Sequence, residues 1–162
     1  MKKFYIIEDN PSHYIKISNA LKSIDSAVKC IHIFAGKSPR QQDFKKEDID
    51  KICAAIRGED CSSWQELIEL KDDITNNKDN TFIIIDVSLK QDNKPNNYSK
   101  RIISCLDENS FSDKYLLTSG LSPCYLNKFL GRDANYSKTV LSKGFLESKD
   151  DILELWGHAL KN

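Results

Sequence analysis

Short, dense apolar runs alternate along the chain with longer stretches in which apolar residues recur every three or four positions. FYII (4–7), VKCIHIF (28–34), FIIID (82–86), KYLLTSG (114–120) and KTVLSKG (138–144) have the length and the β-branched or aromatic content of strands. The run at 82–86 is the most apolar. Such an unbroken apolar segment predicts a central parallel strand covered on both faces.

The stretches between carry helical periodicity. Asn10-Pro11 predicts a helix start, with Asn10 as N-cap and Pro11 in the first turn, and Tyr14, Ile17, Leu21 and Ile24 share one face. Residues 47–58 predict a helix with Ile49, Ile52, Cys53 and Ile56 inward and Gly58 as its stop. Ser63 and Glu66 fit a capping box for a helix carrying Leu67, Leu70 and Ile74. Tyr98, Ile102, Ile103 and Leu106 predict another. Ser122-Pro123 opens one with Leu126, Phe129 and Leu130, and Ser148 and Asp151 cap a last one with Ile152, Leu155, Trp156 and Ala159. Five strand–helix alternations predict an α/β fold with a parallel sheet and helices on both faces.

Length and charge narrow the reading. The 162 residues suit a single domain over 1–162, with 35–80 as an expanded helical insertion between strands two and three. With 24 basic against 24 acidic residues, nothing favours nucleic acid or an anionic membrane as partner. No apolar run approaches the ~20 residues that span a bilayer, and the start turns polar too soon for a signal peptide. A soluble cytoplasmic protein is expected. The five cysteines include no CxxC pair and are expected to be reduced, with Cys30, Cys53 and Cys105 as core residues. His13, His32 and His158 lack metal-ligand spacing and are expected to have plain surface or edge roles.

Parallel sheets of this kind hold their chemistry beyond the carboxyl ends of the strands. Those ends carry Glu8-Asp9, Phe34-Ala35, Asp86, Thr118-Ser119 and Ser142-Lys143. Brought to one edge, three carboxylates repel one another, and a hard divalent cation such as Mg²⁺ relieves the conflict. Lys143 adds a second positive charge. A phosphate between the two is well placed for transfer, and a facing carboxylate can act as nucleophile and form an acyl phosphate. Asp86, on the central strand, has the best position for that role, and Thr118 can donate to a phosphate oxygen. Each piece also has an ordinary reading: Glu8-Asp9 as a solvated pair before a helix, Thr118 and Ser119 as turn residues, Lys143 as a surface lysine. Their joint order at four strand ends is what singles out a phosphoryl-accepting site.

With these residues the sequence resembles the receiver domain of two-component response regulators, from FYIIEDN (4–10) through FIIIDVS and YLLTSG to VLSKGF (140–145). The resemblance implies a doubly wound five-stranded sheet of order 2-1-3-4-5. It implies Asp86 as phosphoacceptor, Asp9 and Asp86 as direct Mg²⁺ ligands, Glu8 as a ligand through water, the Ser88 backbone carbonyl completing the site, and Thr118 and Lys143 as the conserved-type hydroxyl and lysine. A histidine kinase or phosphotransfer protein would supply the phosphoryl group to a stand-alone receiver, and a downstream protein target would read it. The chain would then be no enzyme beyond self-catalysed phosphotransfer and autodephosphorylation. It departs from the family in the long stretch between Asp9 and Asp86, in LKQDNKPNN (89–97) after the phosphoacceptor, in Gly144 where proline is usual, and in Val140 where an aromatic residue is usual. These departures leave open a degenerate receiver that binds partners without phosphorylation. A haloacid-dehalogenase-like phosphatase fits less well, because Ser88 stands where that motif needs a second acid.

Overall fold

The computed structural model describes residues 1–35, 43–61, 63–89, 97–120, 140–142, 149, 150, 152–154 and 157. Among the described residues ten elements run in order: β1 (Lys3–Ile7), α1 (Pro11–Ile24), β2 (Lys29–Ile33), α2 (Lys46–Ile56), α3 (Gln65–Asn76), a short 3₁₀ turn (Lys78–Asn80), β3 (Thr81–Asp86), α4 (Tyr98–Glu108), β4 (Tyr115–Ser119) and β5 (Val140–Ser142). The four longer strands pair in parallel in the order β2-β1-β3-β4, and the three-residue β5 adds to the outer side of β4. This is the flavodoxin-like arrangement, with β1 and β3 at the centre.

Alternation along the strands divides the interior in two. Tyr5, Ile7, Ile31, Ile33, Ile83, Ile85 and Leu117 face one side, where α2, α3 and α4 cover them with Ile49, Ile52, Leu67, Leu70, Ile102 and Leu106. Phe4, Ile6, Phe82, Ile84 and Leu116 face the other side, against Ile17, Ala20 and Leu21 of α1 and against Ile152. All six residues of β3 are buried, as a strand covered on both faces requires. Each fully buried Ile or Leu here contributes about 1.5–3 kcal/mol of transfer free energy. Residues 35–80 thus add α2 and α3 to one layer of the fold.

Local signals explain most element ends. Asn10 caps α1, its Oδ1 accepting from the Ser12 amide at 3.0 Å, with Pro11 at the first helical position. Gly58 ends α2 at φ +75°; its amide donates to Ala55 O at 3.0 Å and the Glu59 amide to Ala54 O at 2.9 Å, which is the Schellman pattern. The start of α3 differs from the expected capping box. The helix begins at Gln65 with Trp64 as N-cap and no side-chain cap bond, so Ser63 lies one position too early to cap it. At α2 the first turn is held from inside, the Lys45 amide donating to the Asp48 carboxylate at 2.8 Å. The helix expected after Ser122-Pro123 and the caps Ser148 and Asp151 lie outside the described residues.

Candidate functional site

Glu8 and Asp9 follow β1, and Asp86 ends β3. Because β1 and β3 are parallel neighbours with Ile7 opposite Ile85, the next residue on each strand reaches the same edge. One carboxylate oxygen from each of Glu8, Asp9 and Asp86 lies within 4.8 Å of the others. All three side chains are buried: Glu8 is 0% exposed, Asp86 1% and Asp9 2%. The solvated-pair reading of Glu8-Asp9 is thereby excluded.

The chain organises this edge closely. Asp86 Oδ1 accepts from the Ser88 amide at 3.0 Å, an Asx-type turn that carries the chain away from β3. The Val87 amide donates to Thr118 O at 3.0 Å, and the buried Ser99 hydroxyl donates to Val87 O at 2.9 Å, tying α4 to the segment after Asp86. Glu8 Oε1 accepts from the Asn10 amide at 3.2 Å and lies 3.6 Å from His13 Nδ1. The Glu8 carbonyl meets His32 Nε2 at 2.8 Å. The acidic pair also precedes the N-terminus of α1, where the helix dipole favours negative charge.

Opposite Asp86 in the β3–β4 register stands Thr118. Its side chain is fully buried, and its Oγ1 has no hydrogen-bond partner among the described residues. A buried hydroxyl left so is costly, and its place across from Asp86 suits a ligand that brings acceptor oxygens.

The donor set fits the Mg²⁺ that the sequence resemblance implies. It is all oxygen, drawn from three converging carboxylates, and hard divalent ions take such ligands.

The structure therefore brings together Glu8, Asp9, Asp86 and Thr118, with the Ser88 amide bonded to Asp86. Lys143 lies outside the described residues, as do Gly144 and the side chain of Val140. His13, partly exposed on α1, and His32, on the edge strand β2, both meet Glu8. Burial lowers the basicity of the His32 imidazole, with the Glu8 carbonyl partly opposing that effect, so the neutral ring donates its Nε2–H. No metal-type spacing flags these residues in sequence. The only hint is that His32 interrupts an apolar strand, in register with Ile6.

No family model matches the chain, and no curated protein matches it. Among solved structures it is similar to azoreductase from Bacillus anthracis str. Sterne, with 13% sequence identity and a TM-score of 0.38, over 99% of this chain and 96% of that one. The expectation that the chain is no enzyme is not upheld by this comparison, since the solved structure to which it is similar is an enzyme. So distant a likeness transfers no activity. Receiver-family membership has no support from these comparisons, and what stands is the parallel α/β sheet and its order. Among the described residues, no helix is long and apolar enough to cross a membrane.

Proposed function

We propose that the chain is a receiver-type signalling domain that takes a phosphoryl group onto Asp86. One observation carries the reading: Asp86 shares a buried edge with two further carboxylates and faces a fully buried Thr118 hydroxyl that has no partner among the described residues. Glu8, Asp9 and Asp86 would hold Mg²⁺, which supplies countercharge to a phosphate when bound. A carboxylate oxygen of Asp86 attacks the phosphorus of a phosphohistidine on a kinase or phosphotransfer partner. The P–N bond breaks, the imidazole takes the electron pair, and an acyl phosphate remains on Asp86. Thr118 Oγ1 then donates to a phosphate oxygen.

The output follows from where the charge arrives. An acyl phosphate carries ~1.5–2 negative charges at the β3–β4 edge, where the free Asp86 carboxylate carries one. Ser99 joins α4 to Val87, so a shift of that segment moves α4 and the surface it presents to a protein target.

The test is incubation with acetyl phosphate or phosphoramidate and Mg²⁺, read by intact mass. A gain of one phosphoryl group, absent in Asp86→Asn, is expected. No gain under saturating donor would favour the degenerate receiver, to which Val140 and Gly144 already point.

A further inference from the structure

α2 and α4 lie side by side on one face of the sheet, and a groove of about 450 Å³ runs along them with Cys53, Arg57, Arg101, Cys105 and Glu108 among its lining. Cys53 and Cys105 are buried by area yet border this groove. Their surroundings differ from those of ordinary core cysteines. The Cys105 thiol donates to the Cys53 carbonyl at 3.5 Å. Arg57 Nη1 reaches Cys105 Sγ at 3.9 Å and Asn109 Nδ2 reaches it at 3.8 Å. One sulfur thus meets two N–H donors, one of them cationic, with a second thiol beside it.

We propose that Cys53 and Cys105 form an oxidisable dithiol, which hydrogen peroxide converts into a disulfide joining α2 to α4. The Cys105 thiolate attacks one oxygen of the peroxide. The O–O bond breaks, hydroxide leaves and becomes water with the proton that the thiol released, and Cys105 is oxidised to the sulfenic acid. Cys53 sulfur then attacks Cys105 sulfur, the S–O bond breaks, and the departing oxygen leaves as a second water with the Cys53 proton. Two thiols lose two electrons to one peroxide, and the bond formed is S–S.

The charges facing the pair set the order of events. From α2 comes Asp50, with Arg57 and Glu59 just beyond its end; from α4 come Lys100, Arg101 and Glu108. Asp50 is paired with Arg101, and Glu59 with Arg57. The Cys53 thiol, donating to Cys105, and then Arg57 lower the Cys105 thiol to about 7, against burial and Glu108. Cys53 moves the other way, raised first by Cys105 and then by burial. Cys105 is therefore the attacking sulfur and Cys53 the resolving one.

The experiment uses the full chain, reduced, treated with hydrogen peroxide, alkylated and digested for mass spectrometry. The expected result is an intact mass lower by two hydrogens and a linked peptide pair containing Cys53 and Cys105, both reversed by dithiothreitol. Cys53→Ser is expected to hold a sulfenic acid on Cys105 that dimedone traps, and Cys105→Ser to form no link. The wild-type rate is expected to reach half its maximum near pH 7, well below the ~8.5 of a free thiol. No linked pair in the folded wild-type protein overturns the proposal, as does a link that joins Cys30 or Cys61 as readily. Since the wild-type measurement needs no variant to fold, either result decides.

Discussion

Asp86 and Thr118 face one another across the β3–β4 pairing, and the amide that follows Asp86 donates to the carbonyl of Thr118 at 3.0 Å. The two backbones are locked together while the Thr118 hydroxyl stays without a partner among the described residues. An unsatisfied buried hydroxyl costs about 1–3 kcal/mol, and an apolar group of the same shape removes that cost. Thr118→Val is therefore expected to raise the unfolding free energy by about 1 kcal/mol in urea titrations. The same variant is expected to slow phosphoryl uptake from acetyl phosphate, since a site that holds strain for function gains stability when it is disarmed. A variant less stable than wild type would show that the hydroxyl already has a ligand in the resting protein.

The carboxylate cluster leads to a second expectation. Glu8, Asp9 and Asp86 repel one another in a buried site, and a bound divalent cation reverses that repulsion. Saturating Mg²⁺ at about a hundred times its dissociation constant stabilises the fold by about 2.7 kcal/mol. In a chain of this length that is a rise of about 5–10 °C in Tm. Asp9→Asn is expected to melt higher than wild type in EDTA and to lose most of the Mg²⁺-dependent rise. Equal melts of wild type with and without Mg²⁺ would remove the metal from the proposal.

What the sequence made legible follows from where each signal is local. β3 is readable because it is buried on both faces, which leaves no polar position from Phe82 to Ile85. Asn10-Pro11 and Gly58 are readable because a cap needs a particular side chain or a positive φ, whatever lies around it. The start of α3 was misplaced because the Ser63–Glu66 pattern also arises one residue outside a helix, and Trp64 has no capping side chain to announce itself. The acidic edge was legible as an order of strand ends. The contacts of His13 and His32 with Glu8 were not, because they depend on α1 and β2 meeting the end of β1 in space. The α2–α4 groove was hidden for the same reason: Cys53 and Cys105 each fit an apolar pattern, and only the two helices together place Arg57 beside them.

Far from the acidic edge, Lys3, Tyr5, Glu69, Asp73 and Lys29 tie β1 and β2 to α3. Lys3 Nζ donates to both Asp73 oxygens, at 3.0 and 2.8 Å, and the Tyr5 hydroxyl donates to Asp73 Oδ2. Glu69 Oε1 meets Lys29 at 2.7 Å and Lys3 at 3.4 Å. Burial alone would push the Asp73 carboxyl up, but Lys3 and Tyr5 together outweigh it and hold the carboxyl below its usual range. Lys29, more than Lys3, does the same for Glu69. A carboxylate depressed in the folded state contributes stability that is fully present above its unfolded value, about 3.9–4.3, and that is lost as pH falls below it. Wild type is thus expected to lose stability steeply below about pH 4. Asp73→Asn is expected to cost about 1–2 kcal/mol at pH 7 and to flatten that acid slope. Parallel pH curves for the two proteins would contradict this account.

His32 yields an expectation nearer neutrality. Its ring stacks on Tyr14, with centroids 4.2 Å apart, and on Phe34 at 4.9 Å, while Nε2 meets the Glu8 carbonyl at 2.8 Å. Burial holds its basicity below the ordinary value even though the Glu8 carbonyl partly opposes this. The unfolded chain therefore takes up a proton first as pH falls. The stability due to the neutral ring is fully present above about 6.5 and is lost as pH drops through the lower folded value. His32→Phe retains the stack but loses the donor to Glu8, so it is expected to cost about 1 kcal/mol at pH 7.5. It is also expected to lose less stability than wild type between pH 7 and pH 5. His13 stays in both proteins, so its own response beside Glu8 largely cancels in the comparison. Urea unfolding at half-unit pH steps reads the difference. Two curves separated by a constant amount over that range would mean that His32 does not titrate against the fold.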